Sequence, residues 1–324
     1  FDFEKNTDSV KYYNSKLAKI WDNLYNKNLE ITGNEKNILK LIEKKSFHLN
    51  DGELFYNIAI VHMNIPDAIK AEKWMTKACE SYHPYAYHNM GWWYDFGFGH
   101  ISEDKDMAAD LYDFAYWNLG VARSAVRLSE MIFYEEITKY NQDYAIDTLT
   151  HLISMPRKYL IEENDITIAN YMLGRFYFNR HSGKEETSAL NLSIKYFREA
   201  AKKGHKEANL FAGKALRTKY RVNKDKILND EAKLYYSHAS SLGSGDAMVY
   251  LGITYLENYQ TEEEFLIGLG WILTGHKAGI YDSVLKKQIS ANLKSVDQNI
   301  ISLIEPLAKN CKDQQYKNCF TVEK

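Results

Sequence analysis

Proline is scarce in this sequence, four among 324 residues, and glycine contributes only 17. A β-sandwich or barrel is built on tight turns rich in both, so that class has little material here and helix is favoured. No stretch approaches about 18 consecutive apolar residues, the length a spanning helix needs. The longest candidate, Phe265 to Leu273, is short and carries two glycines. Neither sign of charge prevails: 41 lysines and arginines stand against 43 acidic residues, a formal net charge of -2, and no long tract has a single sign. This removes the global electrostatic argument for nucleic acid or an anionic membrane as partner. With 45% hydrophobic and 26% charged residues, a disordered chain is excluded as well.

Cysteine is rare too. Cys79 falls where a small buried residue is expected and reads as inert core packing. Cys311 and Cys319 either close a small loop, which would imply an oxidising compartment such as a periplasm, or remain two free thiols. Zinc has little support without a C-x-x-C pair, and no cofactor motif is present. The sequence begins at Phe1, not Met, which reads as a processed product or a fragment. On these signs a periplasmic or exported site is favoured slightly over a cytoplasmic one.

What is present is repetition. Tyr196-Phe197, Ala200-Ala201, Gly204 and Ala208 recur thirty-nine residues later as Tyr235-Tyr236, Ala239-Ser240, Gly243 and Ala247. The frame returns as Trp271-Ile272, Gly275-His276, Gly279 and Ser283, and upstream around Trp74 and Tyr112. A second half-pattern reads Ala86, Met90-Gly91, Tyr94; then Ala169, Leu173-Gly174, Tyr177; then Ala247, Leu251-Gly252, Tyr255. Spacings of three, four and seven share one helix face, so each half-pattern is an amphipathic helix. The unit is helix A, a variable loop, helix B and a glycine turn. Gly204, Gly243 and Gly279 are placed to end helices. Thr32 with Glu35, Thr261 with Glu264 and, more weakly, Asn50 with Glu53 are placed to begin them, and Pro84 suits a first turn.

These residues carry a resemblance. The frame A-x-x-x-L-G-x-x-Y followed by A-x-x-W/Y-Y/F-x-x-A-A-x-x-G is similar to the Sel-like repeat (SLR) family, cousins of tetratricopeptide repeats. The resemblance implies an all-α fold, a right-handed αα-superhelical solenoid that grows by stacking. Residues 1–50 are expected to form two capping helices, near 9–27 and 34–46. Residues 51–284 hold about six helix pairs. The third, about 124–165, is degenerate: its second helix, near Asp143 to Ile153, lacks the paired alanines and is followed by Pro156. Residues 285–324 form a C-terminal capping helix, over 288–309, and a tail.

Carried over by frame, the concave lining of the tetratricopeptide architecture falls on Tyr85, His88, Trp92, Asp95 and Phe96 in the second pair. In the third it falls on Arg123, Glu130 and Tyr134, in the fourth on Tyr171, Arg175 and Asn179, and in the fifth on Lys214 and Arg217. Tyr, Trp and Arg dominate binding hot spots, so such a lining points to a protein partner. The resemblance implies a non-enzymatic bacterial adaptor that grips its partner through the groove and inter-helix loops. One specific form is an exported immunity protein that neutralises a secreted effector such as a phospholipase. A cell-wall or carbohydrate-binding module is the alternative, since exposed aromatics stack on sugars.

Other chemistry is weakly signalled. His62, His83, His88, His100 and His151 form no zinc-protease pair and read as structural. Ser283-Val284-Leu285-Lys286 satisfies the S-x-x-K pattern of β-lactam-recognising hydrolases, but the companion motifs are absent and no catalytic residue is assigned. Gly97-Phe98-Gly99 is an inter-helix loop and Gly268-Leu269-Gly270 part of a helix B. Neither is a phosphate cradle.

Overall fold

A computed structural model describes residues 3–65, 67–155, 162–183, 187–257, 259–294, 296–313, 316 and 319. These form sixteen α-helices, and among the described residues there is no strand beyond an isolated bridge between Phe98 and Ile101. The chain is an all-α helical-repeat protein. It divides into two compact units, Phe1–Asp165 and Ile166–Lys324.

The first unit contains α1 (Phe3–Tyr25), α2 (Gly33–Leu49), α3 (Gly52–Asn64), α4 (Ala68–Glu80), α5 (Pro84–Phe96), α6 (Lys105–Trp117), α7 (Ala122–Phe133) and α8 (Gln142–Ser154). Its core gathers Leu17, Ile42, Leu54, Ile58, Trp74, Met75 and Trp93, all buried. Cys79 packs against this core, and burial pushes its thiol up to about 12, which keeps it inert as expected. The α8 helix stands where the degenerate pair was expected to place it. Pro156 and the five residues after it lie outside the described residues.

The second unit contains most of α9 (Glu163–Gly183), with α10 (Thr187–Lys202), α11 (Lys206–Asn223), α12 (Lys226–Ser241), α13 (Gly245–Leu256), α14 (Glu262–Ala278), α15 (Ser283–Lys294) and α16 (Gln298–Asp313). The expected single helix over 288–309 is instead two. Asp297 accepts the N–H of Asn299 at 2.8 Å and its carbonyl receives that of Ile301, so a new helix starts there. Ile304 and Ala308 of α16 then seat on Leu269 and Leu273 of α14. Cys311 and Cys319 are bonded, their Cα atoms 5.0 Å apart, and both are buried in the core that includes Tyr236 and Trp271.

Helix ends follow local chemistry. Thr32 makes a complete capping box with Glu35. At Thr261 the box is altered: its hydroxyl accepts the Glu264 N–H, while the Glu264 carboxylate reaches one residue further, to the N–H of Gln260. Asn50 does not begin α3. It closes α2 in the left-handed region, at φ 47°, and Asp51 takes the N-cap by accepting the N–H of Leu54 at 2.8 Å. Gly204, Gly243 and Gly279 have positive φ, as their places after α10, α12 and α14 require.

The repeat frame has a direct packing meaning. The glycine of the helix A pair lies under the aromatic of helix B. A Cβ at Gly91 would stand 2.9 Å from the Tyr112 ring, at Gly174 2.5 Å from Phe197, and at Gly213 2.6 Å from Tyr236. Each ring is fully buried, and the missing side chain sets how closely the two helices approach. Between α13 and α14 the contact is tighter still. There the glycines of both helices meet backbone to backbone, Gly252 against Gly268 and Gly245 against Gly275.

Candidate functional site

In the first unit, α3, α5 and α7 lie side by side, linked through their A-helix faces. The Asn89 amide donates to the Tyr56 hydroxyl at 3.1 Å, Arg123 lies over the Tyr85 ring at 5.5 Å, and His88 bonds Ser124 at 2.9 Å. Of the residues expected to line this face, Tyr85, His88, Trp92 and Phe96 lie along α5, Arg123 and Glu130 lie on α7 and Tyr134 just after it. Trp92, Phe96 and Tyr134 are 43%, 54% and 58% exposed, so the core leaves these large rings uncovered. Trp92 and Phe96 are in contact, with centroids 5.7 Å apart.

Asp95 departs from this picture. It is fully buried, and its carboxylate is saturated. Arg127 grips it with two hydrogen bonds, Nε to Oδ2 at 2.6 Å and Nη2 to Oδ1 at 2.9 Å. Lys105 donates to Oδ1 at 2.8 Å and Tyr112 to Oδ2 at 3.2 Å. Glu136 completes the cluster, accepting from Arg127 at 2.7 Å. Burial alone would raise the Asp95 carboxyl, but Arg127 and Lys105 hold it below the usual carboxylate range. Asp95 is therefore a structural anchor and not a groove contact. Both cations also lie over the Phe96 ring, at 5.1 and 5.3 Å, so the anchor orients an exposed aromatic.

His88 is the titrating member of this face. Burial, reinforced by the Arg123 charge, lowers it to about 4. Because the folded value lies below the unfolded value of about 6.5, the unfolded state binds the proton first and stability is lost as pH falls through that window. The first unit should lose about 2 kcal/mol between pH 7 and pH 5 from this group. Urea midpoints of the native chain and of His88→Gln across that range check it. A slope that survives the substitution would assign the loss elsewhere.

In the second unit, α9, α11 and α13 line up in the same way. Arg175 donates to the Tyr171 hydroxyl at 2.7 Å and lies over the Phe211 ring at 4.4 Å. Tyr171 stacks on His205, the N-cap of α11, with centroids 4.5 Å apart. Lys214 stands over Phe211 and Tyr250. A cavity of about 460 Å³ opens here, lined in part by Tyr171, Arg175, Phe211, Lys214, Asp246 and Asp282. Asn179 is exposed near the end of α9. Arg217 is a second correction: it is buried, held by both oxygens of Glu257, which also pairs with Arg221 at 2.9 Å. Sequence reasoning missed Phe211, Asp246 and Asp282. The signal for the two acids was their separation of one repeat, 36 residues.

The remaining motifs have structural roles. His62 is buried against Glu43 at 2.5 Å, and His83, His100 and His151 bond Glu53, Glu72 and Tyr116. Among the described residues no group of three or more His, Cys, Asp or Glu is disposed to hold a metal ion, and no helix is long and apolar enough to cross a membrane. Ser283 and Lys286 are both exposed in the first turn of α15.

Residues 65–83, 84–120 and 167–205 match a family model described as the Sel1 repeat. A solved Sel1 repeat protein from Oxalobacter formigenes is similar to this chain with a TM-score of 0.51 and 20% identity, over 75% of this chain and 97% of its own. A protective antigen of uropathogenic Escherichia coli with an SLR fold gives a TM-score of 0.48 and 15% identity, over 98% of this chain and 75% of its own. At 20% identity the likeness to the Oxalobacter formigenes protein speaks of fold alone. No curated protein matches the chain.

Proposed function

We propose that the chain, a Sel1-repeat protein, is a non-enzymatic scaffold that binds another protein through the A-helix faces of its units. Sel1 repeats are commonly protein–protein interaction scaffolds. The observation that supports this reading is the uncovered rings of Trp92, Phe96 and Tyr134, with Arg127 over Phe96 and Arg123 over the neighbouring Tyr85. Leaving such rings in water forfeits the energy their burial would supply, and a partner's surface recovers it. In its specific form, the partner is a secreted effector that this chain neutralises as an immunity protein, in a near-stoichiometric complex covering the effector's active site.

The test is capture of the partner from the native cell, followed by measured affinity for Trp92→Ala/Phe96→Ala. Both side chains stand outside the core, so the melting temperature should hold within a few degrees while affinity falls at least about 30-fold, the loss of a hot spot of about 2 kcal/mol. Unchanged affinity would remove this face from the interface. Protection of cells from a co-expressed effector tests the specific form.

A further inference from the structure

Lys214 is a buried-side cation without an anion. Its ammonium stands 5.0 Å from the centre of the Phe211 ring and 4.6 Å from that of Tyr250, and among the described residues no carboxylate lies within 4 Å of it. Burial holds its amine below the ordinary lysine value. Arg175 shares the Phe211 ring at 4.4 Å, so two like charges crowd one aromatic platform. The acids nearest in field, Asp246 and Asp282, cannot come to Lys214 without undoing the start of α15. Asp246 accepts the N–H of Tyr281 at 3.1 Å, and Asp282 accepts those of Val284 and Leu285 at 3.1 and 3.0 Å. The cavity is thus polar in two senses: its lining holds cations on an aromatic ring and acids fixed by backbone N–H groups.

We propose that this cavity seats a carboxylate of the partner protein against Lys214 and Arg175, with a basic group beside it in the partner facing Asp246 and Asp282. The assignment rests on the protein-binding reading above and adds the chemistry of one contact. A carboxylate is a planar monoanion that lies along the ring edge and accepts from both cations. A phosphate dianion fits less well, because Asp246, Asp282 and Glu207 share the lining and repel the second charge. The basic neighbour answers these acids and fixes the orientation.

Calorimetric titration of the full chain tests the assignment with four probes: an acetylated, amidated peptide with one glutamate beside one lysine, its glutamine counterpart, a peptide with the same lysine ending in a free α-carboxylate, and inorganic phosphate. Binding of the first assigns a side-chain carboxylate, and binding of the third a chain terminus. The glutamine peptide should bind at least 10-fold more weakly than the preferred carboxylate peptide. Lys214→Met should lower the affinity for the preferred carboxylate at least 10-fold without lowering the melting temperature, since it removes a desolvated charge and keeps the stem. A measurement that leaves the sequence unaltered stands beside it: after reductive 13C-methylation, the Lys214 resonance should move on titration with that peptide and stay still with the glutamine one. A glutamine peptide that binds as well as both carboxylate peptides, an unmoved resonance, preference for inorganic phosphate, or no binding up to millimolar concentration would each overturn the assignment. If that happens while Trp92→Ala/Phe96→Ala still loses the partner, the scaffold reading stands and only this contact falls.

Discussion

Asp95→Ala should destabilise the first unit by about 3–5 kcal/mol, enough to unfold a marginal unit at ambient temperature. The side chain is small and the cavity it leaves would cost little. The large effect comes from what it strands. Arg127 and Lys105 are 19% and 27% exposed; Arg127 directs two of its hydrogen bonds to the Asp95 carboxylate, and Lys105 directs one there and one to the Asp95 carbonyl. Without it, Glu136 and the more peripheral Glu130 and Glu103 are left to face the two cations, and the Tyr112 hydroxyl loses its buried acceptor. Tyr112→Phe, which removes one donor and no charge, should cost only about 1 kcal/mol. Added salt should change the native midpoint little, because a buried cluster is poorly screened. Urea unfolding of the two variants reads all of this. A loss below 1 kcal/mol for Asp95→Ala would mean that the cations swing out to water and the cluster is no anchor.

The second large effect is expected at Gly252. Gly252→Ala should cost the second unit about 3 kcal/mol, near the upper end of what one added methyl does in a packed core. The new Cβ would collide with the carbonyl oxygen of Gly268 and stand 2.7 Å from Ile272 Cγ1. The first obstacle is backbone, and relief requires α13 and α14 to separate along their length. At Gly213 the obstacle is the Tyr236 ring, which can tilt, while the roughly 1 kcal/mol of helix propensity that alanine returns is common to both sites. Gly213→Ala should therefore cost only about 1–2 kcal/mol. Thermal melts of the two variants decide the order, and the reverse ranking would refute the backbone argument.

The legibility of this fold came from residues that cannot be replaced without changing how far apart two helices stand. Gly91, Gly174 and Gly213 each meet a ring supplied by the following helix, so glycine and aromatic recur at fixed spacing and the pairs can be read off. Helix starts were readable where the capping side chain acts on its own turn, as at Thr32. At Asn50 the neighbouring Asp51 was the better acceptor, and Asn50 took the left-handed position that asparagine tolerates. The candidate site was less legible. Frame position puts Asp95 and Arg217 on the lining, but a charge there turns inward when the neighbouring structure offers a partner. Arg127 lies 32 residues after Asp95 and Glu257 lies 40 after Arg217. Lys214 looks the same in sequence and differs only because Asp246 and Asp282 are committed to backbone N–H groups, a fact of three dimensions. Trp92 and Phe96 could be placed on the face from spacing, yet their exposure depends on what covers them.

The glycine-to-ring seams also divide the chain into parts of very different tolerance to change. The connection from α11 to α12 is two residues, Lys224 and Asp225, while that from α5 to α6 runs over 97–104, and the same kind of seam joins both pairs. Lengthening a loop fourfold costs only about 1 kcal/mol of closure entropy, whereas a single methyl in a seam costs as much or more. Natural variation can therefore accumulate in the connections at little thermodynamic penalty, and descendants of one such chain can diversify there while the spacing of their helices stays constant.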